Sequence, residues 1–140
     1  MHRIAIAAAS LSLAALPAFA QPKVTVDPSL AVSDAALLQE PAKAAAEFQR
    51  RLRDQVTYRD GLLVIIDKSG TAPGVTVMPA TAMWGIDCSD SGLAITFGSG
   101  SGDTDNGVVL QLTSSAISDE KCRQIAPAVG ETALAITKGN

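Results

Sequence analysis

The sequence predicts an α+β domain: a small antiparallel sheet (meander) with one N-terminal amphipathic helix and a short C-terminal helix, tied by one disulfide. Three observations predict it. Apolar residues recur at helical spacing between Pro41 and Val56. From Gly61 onward the period drops to two. The two cysteines, Cys88 and Cys122, fall one in the strand-rich stretch and one beyond it.

The first twenty residues, MHRIAIAAASLSLAALPAFA, read as a secretory signal peptide. Arg3 supplies the positive start, Ile4 to Leu16 an apolar run too short to span a bilayer, and Ala18-Phe19-Ala20 an A-x-A cleavage site. Cleavage near Ala20 leaves Gln21 first. The expected location is therefore the periplasm or the extracellular space, with no transmembrane segment in the mature chain. Residues 21–40 form an extended leader and a short helical turn. Pro22 and Pro28 disfavour helix, so QPKVTVDPSLAV is an edge strand or a mobile leader. As a leader, Pro22 to Leu30 would be free to pair with a neighbour's sheet edge. Ser33 or Asp34 caps a turn running to Leu38.

Residues 41–140 make the single folded domain. Pro41 suits a first helical turn, where its missing N–H costs nothing. Ala45, Phe48, Leu52 and Val56 then fall on one stripe. Arg50, Arg51 and Arg53 lie near the end of this helix and read as a solvated face complementing the dipole. LLVIID from Leu62 to Asp67 and VTVM from Val75 to Met78 are strands. AMWGIDC puts Trp84, Ile86 and Cys88 on one face. LAITFG puts Leu93, Ile95 and Phe97 on one face, and VVLQLT does so with Val108, Leu110 and Leu112. Short links make the last three a meander. Ser118, followed by Asp119 and Glu120, starts a helix expected to stop near Pro127. Ala133 to Thr137 is expected to be a final strand.

Composition excludes several chemistries. The one histidine, His2, lies in the signal peptide. The mature chain thus lacks Ser-His-Asp and Cys-His catalysis and histidine zinc sites. An exported pair of cysteines reads as the disulfide Cys88–Cys122, which leaves no thiolate. The formal charge is −3, and −4 once Arg3 is removed, which disfavours nucleic acid as a partner.

Four motifs invite chemistry. The stretch GSGSGDTDNG, Gly98 to Gly107, resembles a calcium loop, but counting from Asp103 puts Gly107 at position five and Ser114 at twelve, where calcium needs a bidentate Glu. No Lys follows Gly102, so it is not a phosphate loop. It reads as a mobile loop tip, with Ser99, Ser101, Asp103, Asp105 and Asn106 as possible partner contacts. Ser118-Asp119-Glu120-Lys121 matches S-x-x-K, the nucleophile motif of serine acyl enzymes, yet S-D-N and K-T-G are missing and a helix cap explains the serine. The acid pairs Asp87/Asp90 and Asp103/Asp105 are each local, whereas glycoside hydrolysis needs acids across a cleft. Trp84, the only tryptophan, is either an interface anchor or a core residue against the disulfide. The expected function is a small exported binding or interaction module without catalysis or cofactor, its partner a protein or envelope component. A structural subunit of an envelope complex is the alternative, and a histidine-independent Ser/Lys hydrolase is the weakest reading.

Overall fold

The computed structural model describes residues 23–27, 34–68, 74–81, 84–98 and 107–140. Its fold is mixed α+β, with two helices and two small sheets. Residues 1–20, read above as a signal peptide, lie outside the described residues, as does Ser33.

The first strand, β1 (Lys23–Val26), is an edge strand, one of the two forms the sequence left open. It pairs in parallel with β7 (Val108–Gln111), so one of its two edges is used inside the chain. A single 3₁₀ turn, Leu37–Gln39, follows. Asp34 does not cap it with its side chain: the residue before the turn is Ala36, and the Asp34 carboxylate is held by Arg51 and Thr113 instead.

Helix α1 (Pro41–Gln55) forms as expected, with Pro41 in its first turn. Ala45, Phe48 and Leu52 are buried along one stripe. Val56 is buried too, but it opens strand β2 (Val56–Arg59), which the sequence reading missed. β2 and β3 (Leu62–Asp67) form a hairpin closed by Asp60-Gly61. Both turn residues have positive φ, 52° and 83°, the two-residue geometry whose twist suits a hairpin. β4 (Gly74–Pro79) completes the sheet β2-β3-β4. Its outer side leaves Leu62, Val75 and Val77 exposed.

The meander of β5 (Trp84–Ser89), β6 (Gly92–Phe97) and β7 is present, and with β1 it makes the sheet β1-β7-β6-β5. The strands expected to form one sheet thus divide between two. Leu93, Ile95, Phe97, Val108, Leu110 and Leu112 are buried on one side, as the alternation requires. Gly92 has φ 106°, and a Cβ there would press into the Thr113 carbonyl. Glycine is therefore needed at this crossing for both conformation and space.

The second helix, α2 (Asp119–Thr137), corrects two expectations. It does not stop near Pro127, and Ala133 to Thr137 is helix, not strand. Buried Ile125, Val129, Ala133 and Ile136 follow helical spacing and keep the segment on the core. Pro127 is exposed, so the Arg123 carbonyl left without an N–H donor lies on the solvent side, where water can meet it. One continuous core joins both sheets and both helices. Gln49 fastens α1 to α2 through the Ala128 carbonyl (3.1 Å) and Thr132 Oγ1 (2.9 Å).

Candidate functional site

An apolar groove of about 680 Å³ lies between α2 and β5. Alternation along β5 sends Trp84, Ile86 and Cys88 to the face that packs on α2, and sends Gly85 and Asp87 away. Helical spacing brings Cys122, Ala126 and Gly130 to the facing side of α2. Gly130 sets the depth of the groove: a Cβ there would lie 3.2 Å from the Trp84 ring and 3.6 Å from Ile86. The disulfide Cys88–Cys122, with Cα atoms 6.0 Å apart, ties strand to helix at the other end. Arg123, Pro127, Glu131 and Leu134 stand along the rim, and Leu134 is 42% exposed.

β5 is also the end strand of its sheet, with β6 as its hydrogen-bonded neighbour. Among the described residues no strand pairs with its other edge, and the Ser89 carbonyl accepts from the Ile117 N–H at 3.1 Å. Groove and free edge together can take up an extended or helical polypeptide segment. The groove's lining holds no pair of acids and no free thiol.

A second concavity, about 200 Å³, is polar and its charges are matched. Arg50 pairs with Glu47 and Asp54, and Lys68 with Asp27 at 3.6 Å. Hydrogen bonds from Arg50 outweigh burial and, with those from Arg51, hold the Glu47 carboxyl down to about 2. Gln55 Oε1 is buried there without a hydrogen-bond partner among the described residues.

Arg51, expected on a solvated face, is the centre of a half-buried polar hub. It donates to both Asp34 oxygens (3.0 and 3.2 Å), to the Leu112 carbonyl (2.9 Å) and to Glu47 (3.1 Å). Thr113 Oγ1 donates to Asp34 at 2.7 Å, and the Asp34 N–H donates to Ser115 Oγ at 2.6 Å. Burial pushes the Asp34 carboxyl up, but the hydrogen bonds from Arg51 and Thr113 overcome it, so it titrates below the usual range. The hub locks the segment before α1, the helix itself and the exit from β7.

Of the residues singled out from the sequence, Cys88 and Cys122 are joined as expected. Ser99, Ser101, Asp103, Asp105 and Asn106 lie outside the described residues. Ser118 Oγ accepts from the Lys121 N–H at 3.4 Å, the cap geometry. Asp87 and Asp90 are exposed, on the outer side of β5 and in the turn after it. Trp84 is half-buried, one edge against the helix and the rest lining the groove, so it serves core and surface together. The groove escaped the sequence reading because it needs α2 to continue past Pro127 to Gly130 and Leu134. The spacing of Val129, Ala133 and Ile136 carried that signal. Comparison of the chain with protein-family models, with curated proteins and with solved structures finds no match.

Proposed function

We propose that this chain is a small exported interaction module that binds another polypeptide in the groove between α2 and β5, without catalysis. The observation that carries the reading is the groove itself: a concave apolar surface beside a free strand edge, with one tryptophan in its wall and charges on its rim. An apolar centre with a polar border supports a protein-binding reading. Export is supported by the signal-like first twenty residues and by the disulfide, which persists in oxidising compartments. The absence of catalysis is supported by a mature sequence without histidine and by the use of Ser118 as a helix cap.

The test is site-specific crosslinking in cells. A photoreactive amino acid at Leu134 should yield adducts with a polypeptide, and the same group at Lys43, exposed on α1, should not. Equal adducts at both positions, or none at Leu134, would refute the groove as a binding site.

A further inference from the structure

Resting on that reading, we propose that the polypeptide bound in the groove is a second copy of this chain, its α2 antiparallel to the first about a two-fold axis near Pro127. The argument is the charge pattern on the rim. Arg123 and Glu131 stand on the same exposed crest of α2, four residues to either side of Pro127. Eight residues of helix separate them by about 12 Å. Neither has an ion-pair partner among the described residues. The exposed ionic side chains midway along α1, by contrast, are paired: Arg50 meets both Glu47 and Asp54.

A two-fold axis at the midpoint of an antiparallel helix pair exchanges the two ends of the crest. Arg123 of each copy then faces Glu131 of the other, giving two opposite-charge contacts from one residue pair. An isologous interface requires such self-complementarity, and a heterologous partner would have to supply the mirror pattern independently. The space fits as well. Pro127, at the axis, is exposed and compact, so the two crests can meet there. The same axis sets the exposed Leu134 of one copy opposite Glu120 of the other, beside the Cys122 end of its groove.

Sedimentation equilibrium over a concentration series, on the oxidised mature chain, tests this. The parent should dimerise. Arg123→Glu and Glu131→Arg should each weaken the dimer at least about tenfold, because each replaces two attractions with two repulsions. The double exchange should restore it to within a few-fold. Both side chains are exposed, so thermal unfolding of the monomers should stay close to the parent. A parent that stays monomeric at every concentration would overturn the inference, as would single variants that dimerise like the parent or a double exchange that fails to recover. Crosslinks from Leu134 to a different protein, with a monomeric parent, would overturn this inference and leave the groove's role standing. No polypeptide adduct at all would remove both.

Discussion

Replacing Arg51 with Met tests whether the hub holds the fold together. The substitution keeps the aliphatic stem over Phe48, whose ring centre is 5.5 Å from the guanidinium carbon, and removes only the charged end. Three acceptors lose donors: the Asp34 carboxylate, the Leu112 carbonyl and Glu47. Breaking a fully buried ion pair by removing one partner costs about 3–5 kcal/mol. Here the side chains are 19% and 14% exposed, so water recovers part of the loss. We expect about 2–3 kcal/mol on that basis, several times the value of a surface pair. At about 4 °C per kcal/mol, the midpoint of unfolding should fall by about 10 °C.

The assay is urea and thermal unfolding of the parent, Arg51→Met, Asp34→Asn and the double variant. The double variant should be clearly less destabilised than the sum of the singles, because it strands no buried charge. The pH dependence adds a sign. The Asp34 carboxyl is lowered in the fold, so its contribution is fully present above the unfolded value near 4 and is lost as pH falls through the folded value. The gap between Arg51→Met and the parent should therefore narrow below about pH 4. A loss under about 0.5 kcal/mol with additive singles would mean that Arg51 sits on a solvated face after all, and the reasoning fails.

Other perturbations address separate features. Changing both cysteines to Ala should lower stability by about 4 kcal/mol, the chain-entropy value for a bridge spanning 34 residues; unfolding with and without reductant reads it, and equal midpoints would refute it. Gly92→Ala should cost several kcal/mol through positive φ and the clash with Thr113, so a midpoint within a degree of the parent would show that the crossing relaxes freely. Pro127→Ala should stabilise by about 1–2 kcal/mol, since it restores an N–H to the Arg123 carbonyl in mid-helix, and a loss of helical dichroism would contradict this. In acid titration followed by dichroism, the stability Glu47 contributes should be full above its unfolded value near 4 and disappear as pH falls toward about 2; a fold unchanged in stability across that interval would exclude a role for the pair.

Local signals in the sequence were sufficient where structure is decided locally. The stripe Ala45, Phe48, Leu52, the alternation in β5 to β7 and the Ser118 cap each follow from a few neighbouring residues. Asp60-Gly61 was an equally local hairpin signal, and reading it would have found β2. The remaining differences depend on distant partners. Pro127 reads as a stop until the buried face of Ile125, Val129 and Ala133 outweighs one missing hydrogen bond. Arg51 reads as solvated until Asp34 and Leu112 are brought beside it from opposite ends of the chain. The groove depends on the approach of α2 to β5, which the positions of Cys88 and Cys122 imply only once their pairing is known.

The parallel pairing of β1 with β7 sets an order of events. Lys23 lies opposite Val108 in the register, 85 positions later, and its N–H donates to the Gly107 carbonyl at 3.0 Å. Loop-closure entropy makes so distant a contact slow to form. A chain emerging N-terminus first from a narrow channel would present β1 long before its partner strand existed. The nascent chain would carry Val24 and Val26 unpaired through most of its passage, and the hairpin of β2 and β3 would be complete well before the first sheet. Closure of that sheet, and oxidation of Cys88 with Cys122, would come only when nearly the whole chain had emerged. Such a wiring leaves the first sheet open until nearly the whole chain is present, then closes it in one late step.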